Sequence, residues 1–313
     1  MGRDKDNDPD WLMKQGQKYI SPSIAQLRLK PDWEGAAQSF EQAAALYKRR
    51  SEWAKAREAF EKAATAQEKA GSNWHAGRDF EAAASMAAQA GLMDDVAVLS
   101  REAFEQLQLA DRATAAAQAL SKGAKFLEGS AGDVAARMWQ EAVSTAMEDG
   151  KDHLSLDLYR EAVGSCLRAQ RPREAADLLM KYALACSRTG ASNQQCKAYL
   201  AGVVVLLHSG DVAEAWQMYQ NAMTVDDFAR SDEAFAADDL FQAYASGDAG
   251  RIKGVVKDKM CFQYIETAAA RLARQLPQGD LPSMAAFAAN ALGVPGSGLG
   301  AGGMGDLEED DLT

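Results

Sequence analysis

A chain of 313 residues with 63 alanines, seven prolines and a formal net charge of −11 is a poor candidate for an all-β or doubly wound α/β fold. Alanine is the best helix former and proline the worst, by roughly 3 kcal/mol in a helix interior. Only one proline, Pro172, lies between Asp32 and Leu276. The length allows one large domain or two ordinary ones, and a hydrophobic content of 47% is enough for a real core.

The chain opens on an acidic, polar stretch, 1–10, with Arg3 and Lys5 against Asp4, Asp6, Asp8 and Asp10. It reads as flexible and unlike a secretory or mitochondrial leader. A short helix follows, and then the segment Tyr19–Pro31, which Pro22 and Pro31 break into a loop. This loop is rich in apolar residues, Ile20, Ile24, Leu27 and Leu29, with Arg28 and Lys30 among them. Apolar side chains beside cations suit weak attachment to a membrane surface. They suit equally a cap over the open end of a repeat array.

From Ala36 onward one pattern recurs. Ala36, Phe40, Ala43 and Ala44 return 20 residues later as Ala56, Phe60, Ala63 and Ala64, and again as Ala76, Phe80, Ala83 and Ala84. With small slips the series runs through twelve faces, ending at Val256, Met260, Gln263 and Tyr264. The spacing i, i+4, i+7, i+8 is one face of an α-helix. Gly71, Gly91, Gly150, Gly190 and Gly210 fall between the faces, where helices stop. Pro172 falls at one such boundary, where proline opens a helix. Two units make a hairpin of about 40 residues, longer than the roughly 34 of a standard tetratricopeptide repeat. The expected fold is therefore all-α: a tetratricopeptide-like solenoid of antiparallel helix hairpins, with a C-terminal helical cap and a flexible acidic tail. The expected regions are a flexible N-terminus (1–10), the solenoid (11–230), the cap (231–276), a Pro/Gly-rich tether (277–305) and the tail (306–313).

Nothing in the sequence forms a catalytic constellation. His75, His153 and His208 sit in three different units without metal-ligand spacing. No G-x-x-x-x-G-K-[ST] loop and no G-x-S-x-G elbow occurs. Acidic pairs such as Asp94–Asp95 and Asp238–Asp239 read as helix N-terminal turns. Cys166, Cys186, Cys196 and Cys261 have no C-x-x-C spacing and read as reduced helix-core thiols in the cytosol. No enzyme, cofactor, metal or membrane span is expected, and the acidic balance argues against nucleic acid.

The charge is uneven. Residues 306–313 carry five acids and no base. Two basic clusters, 160–197 and 251–274, are each net +4 and suit an acidic partner surface. Gly-rich 293–305 delivers Asp306-Leu-Glu-Glu-Asp-Asp-Leu312-Thr313, which looks like a docking peptide for a basic site.

Lys30-Pro-Asp-Trp-Glu-Gly-Ala-Ala-Gln-Ser-Phe40, Arg173-Glu-Ala-Ala176 and Val204-Val-Leu-Leu-His-Ser-Gly-Asp211, in this order and ahead of an acidic end with a penultimate leucine, resemble the soluble NSF attachment proteins, and within that family its gamma branch. The resemblance implies a cytoplasmic adaptor, peripheral on membranes, that coats an acidic, syntaxin-type SNARE bundle. It would recruit the hexameric AAA ATPase NSF and stimulate it to unwind the bundle. By the same resemblance, Glu308, Glu309, Asp310, Asp311 and Leu312 contact the ATPase, and Ile20, Ile24, Leu27 and Leu29 form a weak membrane-touching loop. The free chain is expected to be a monomer, with several copies on one bundle so that avidity compensates for a weak tail. The alternative is another tetratricopeptide-type scaffold, a cochaperone or signalling adaptor.

Overall fold

Alanine-rich helical runs of 15–18 residues separated by short turns set the architecture from Trp33 to His208. The computed structural model describes residues 7–21, 30–148 and 152–293. All regular structure among them is helical. The helices are α1 (Pro9–Ile20), α2 (Trp33–Arg49), α3 (Trp53–Lys69), α4 (Asn73–Ala90), α5 (Met93–Leu109), α6 (Ala113–Leu127), α7 (Gly132–Glu148), α8 (Asp152–Arg168), α9 (Pro172–Arg188), α10 (Ser192–His208), α11 (Val212–Met223), α12 (Asp226–Ala229), α13 (Asp232–Ala245), α14 (Ala249–Asp258), α15 (Cys261–Tyr264), α16 (Thr267–Ala273) and α17 (Leu281–Ala291). They fall into two compact units, Met1–Gln195 and Cys196–Thr313, divided inside α10.

In the first unit each helix packs on the next, α1 through α9. Short turns force antiparallel neighbours. The turns share a left-handed residue at 20-residue intervals: Ser51, Gly71, Gly91 and Asp111, then Gln170 and Gly190, with Gly210 continuing the beat in the second unit. The repeating faces are the core. Ala36, Phe40, Ala43 and Ala44 are all buried, as are Ala116, Leu120, Gly123 and Ala124 and Ala135, Trp139, Ala142 and Val143. Alanine at three of four positions lets the helices approach, and the large fourth side chain fills the space between them. Burying a Phe or Leu fully contributes about 1.5–3 kcal/mol.

A second periodicity, of one hairpin, runs across the surface. Arg101 on α5 pairs with Glu141 on α7 at 2.5 Å, and Lys125 on α6 with Glu161 on α8 at 2.8 Å. Arg168 at the end of α8 donates to Glu128, just past α6, at 2.7 Å, and Gln140 on α7 donates to Glu174 on α9. Equivalent helices of successive hairpins are thus tied by charged and polar side chains.

In the second unit α13 is the hub. Helices α14, α15 and α17 pack on it, and α11 packs on α17. Trp216, Tyr219, Phe228 and Phe241 form an aromatic cluster, with Trp216 edge-on to Phe241 at 5.0 Å between centroids. Asp248 caps α14 by accepting from the Gly250 amide at 2.7 Å.

Five expectations need correction here. The twelfth face does not form: Lys259 and Ile265 are extended, so α14 ends at Asp258 and α15 is one turn, leaving Met260 and Tyr264 exposed. Met223, the last residue of the α11 face, is exposed as well. Residues 281–291, counted with the tether, form α17, whose Met284, Ala288 and Ala289 are buried. Asp238 and Asp239 lie within α13; its first turn carries Asp232 and Glu233 instead. Helix α1, moreover, starts at Pro9 on an Asp8 cap, inside the stretch expected to be flexible.

Candidate interaction surfaces

The end of α1 is tied to the start of α2. The Asp32 amide donates to the Tyr19 carbonyl at 2.9 Å, while the Asp32 carboxylate accepts from the Gly35 amide at 2.9 Å and so starts α2. Tyr19, Ile20, Met13 and Trp33 pack against Ala36, Ala37, Phe40, Ala63 and Ala66. Ile20, expected among the membrane-facing residues, therefore closes α1 over this core. Ile24, Leu27 and Leu29 lie outside the described residues.

Helix α1 is fastened to α2 by polar contacts as well. The Tyr47 hydroxyl donates to the Asp10 carboxylate. Burial and that carboxylate push the Tyr47 phenol far up, and the same hydrogen bond holds Asp10 below the usual carboxylate range. Arg50 donates to the Asn7 carbonyl at 2.9 Å.

The two basic clusters differ. In the first, Arg160 pairs with Asp157, Arg168 with Glu128 and Arg171 with Glu174, and Arg173 and Arg188 are engaged too. Arg160 and Arg171 thus pair with acids three residues away, while Arg168 ties successive hairpins together. In the second cluster, Lys259 pairs with Asp239 at 2.5 Å. Lys253, Lys257 and Arg274 make no ion pair among the described residues and line a cavity of about 260 Å³ together with Val256, Phe262, Gln263, Ala270, Ala273 and Leu276. Sequence reading found these cations but not the cavity. The one local signal is Lys253, Val256 and Lys257, which share a helix face at i, i+3, i+4. The acidic residues Glu308, Glu309, Asp310 and Asp311, and Leu312, lie outside the described residues.

Cys166, Cys186 and Cys196 are buried, and burial pushes all four thiols up, Cys166 to about 11. No group of His, Cys, Asp and Glu among the described residues could hold a metal ion, and no described helix is long and apolar enough to cross a membrane.

Stacked helix hairpins that differ mainly in what they present at the surface define a helical-repeat protein. Residues 7–265 match the family model of the soluble NSF attachment proteins, and the chain belongs to that family. It is 31% identical over 307 residues to the gamma-soluble NSF attachment protein of Arabidopsis thaliana, covering 98% of this chain and 99% of the relative. With the gamma-soluble NSF attachment protein of Dictyostelium discoideum it shares 23% identity over 265 residues, covering 85% of this chain and 81% of the relative. Among solved structures, aspartyl phosphate phosphatase F from Bacillus subtilis aligns over 95% of this chain and 83% of its own, at 14% identity and a TM-score of 0.37.

Proposed function

We propose that the chain is an adaptor of vesicle traffic that binds SNARE complexes and recruits and stimulates the NSF ATPase for their disassembly. The observation that carries this is family membership over most of the chain, with a near end-to-end match to a gamma-soluble NSF attachment protein. The repeat units supply a rigid frame, and the cations not used in stitching supply attraction to an acidic bundle. Asp306–Leu312 is the segment that docks on the ATPase, and Ile24, Leu27 and Leu29 touch the membrane weakly while Ile20 anchors their loop. Several copies on one bundle present several weak tails to one hexamer, so that avidity supplies the affinity. A pull-down with the purified chain tests the reading: it should retain both assembled SNARE complex and NSF, and retention of neither would sink it.

A further inference from the structure

The cavity in the second unit has a composition that is unusual for a stacking void. Its floor is apolar and buried: Phe262, Val256, Ala273 and Leu276. Its rim carries Lys253, Lys257 and Arg274, all exposed, with no counter-ion among the described residues. Ordinary solvated lysines have no apolar basin between them. A volume of about 260 Å³ admits a branched aliphatic side chain, and three cations around it select neighbours of negative charge. The ligand that fits is an acidic segment carrying a leucine.

The chain contains one. Residues 306–313 hold five carboxylates with Leu307 and Leu312 among them, and no base. The last described residue, Gly293, follows α17, in the same unit as the cavity. Helix α17 and the cavity-lining α14 and α15 share one partner, α13, which puts them about two interhelical spacings apart, about 20 Å. The twelve residues 294–305 span up to about 40 Å when extended. The segment therefore reaches the cavity without any change in the helices.

We propose that the cavity rimmed by Lys253, Lys257 and Arg274 holds the chain's own segment Asp306–Thr313, with Leu307 or Leu312 on the apolar floor and the neighbouring carboxylates on the rim. Tethered binding needs little intrinsic affinity, because a short linker supplies an effective concentration on the order of millimolar. The free chain thus keeps its acidic end masked, and a partner with a stronger basic site must compete it off. This does not depend on which partner that is, so it stands or falls separately from the ATPase reading.

The test uses a fluorescent peptide with the sequence of residues 306–313, titrated into the full chain and read by anisotropy. Against the unaltered chain the peptide competes with the resident tail. Against a full-length Leu307→Ser/Leu312→Ser chain it should bind at least about threefold more tightly. Adding Lys253→Glu, Lys257→Glu and Arg274→Glu to that chain should weaken binding by about tenfold or more, with helicity by circular dichroism unchanged. Lys253→Gln/Lys257→Gln provides a milder variant should charge reversal disturb the fold. Equal affinity for the unaltered and tail-altered chains would overturn the proposal and leave the cavity to an acidic segment of another protein. Binding that charge removal does not diminish, or no binding to either chain, would overturn it as well.

Discussion

Lys122 on α6 reaches back to the Glu81 carboxylate on α4, an ion pair between residues 41 apart in sequence. Glu81 also accepts from Arg78 at 2.6 Å, and its side chain is only 11% exposed. It is the most enclosed member of the hairpin-to-hairpin charge ladder, and its two cations are half in solvent. Glu81→Ala removes two charge-assisted bonds but leaves no buried charge behind. The expected loss is about 1–2 kcal/mol, read as a fall of a few degrees in thermal unfolding. An unchanged transition would show that the ladder orders the helices without stabilising them.

The turn beat gives a pair of opposite predictions. Gly91 ends α4 with φ 75°, a conformation that costs a residue with a Cβ roughly 1–2 kcal/mol. Gln170 occupies the equivalent position before α9 with φ 56°. Gly91→Ala should lower stability by about 1 kcal/mol. Gln170→Gly should raise it by about 0.5 kcal/mol, less than the full strain because glycine also frees the unfolded chain. Urea unfolding followed at 222 nm measures both. Changes of the same sign would contradict the assignment of the left-handed beat as strained at its non-glycine members.

Helix α1 comes close to α2 because Gly16 has no side chain. A Cβ there would lie 2.6 Å from the Phe40 ring, and Phe40 is buried and cannot swing aside. Gly16→Ala should therefore displace α1 despite its better helix propensity. The expected cost is about 1–3 kcal/mol, together with faster proteolysis near 19–31, since Tyr19 and Ile20 lose their packing. Gln17→Ala, on the same helix without that clash, serves as control. Equal protease resistance in both variants would contradict the close approach.

Asp79 on α4 faces Glu41 on α2, and Oδ2 of Asp79 is enclosed without a hydrogen-bond partner. Burial first, and the Glu41 charge second, push the Asp79 carboxyl up to about 8. Its ordinary value in the unfolded chain is about 3.9. Between these values the folded state holds a proton that the unfolded state has lost, so this group makes stability fall as pH rises from about 4 to about 8. Below that window both states are protonated and no penalty exists. Asp79→Asn should stabilise the chain at pH 8 by about 1–2 kcal/mol after allowing for solvent screening of a half-buried pair, with a gain that shrinks towards pH 4. Thermal unfolding at pH 5 and pH 8 measures it, and a gain independent of pH would contradict the proton linkage.

Much of the fold is legible in the sequence because its grammar is local. Ala36, Phe40, Ala43 and Ala44 announce a buried face by spacing alone, and the structure buries all four. The grammar fails where no local residue marks a break. Lys259 interrupts the last face as an ordinary extended residue, with neither glycine nor proline beside it to show that Met260 and Tyr264 turn outward. Pro282 misleads in the other direction: beside Gly279 it reads as linker, yet it occupies the first turn of α17, where proline is tolerated. The cavity at Lys253, Lys257 and Arg274 is not legible at all. It arises where α14, α15 and α16 fold back on one another after the breaks at Lys259 and Ile265, which no residue spacing announces. The charge ladder joins partners 34–41 residues apart and is not legible either; in the first basic cluster it engages Arg168, while Arg160 and Arg171 pair with acids three residues away.

The rate of NSF-driven SNARE disassembly in the presence of this chain, with and without residues 306–313, tests the adaptor role most directly. The account predicts that the full chain stimulates disassembly, and that the deleted chain keeps its helicity and its SNARE binding but loses stimulation by about tenfold or more. A full chain without effect, or a deleted chain that stimulates as well as the full one, would contradict it.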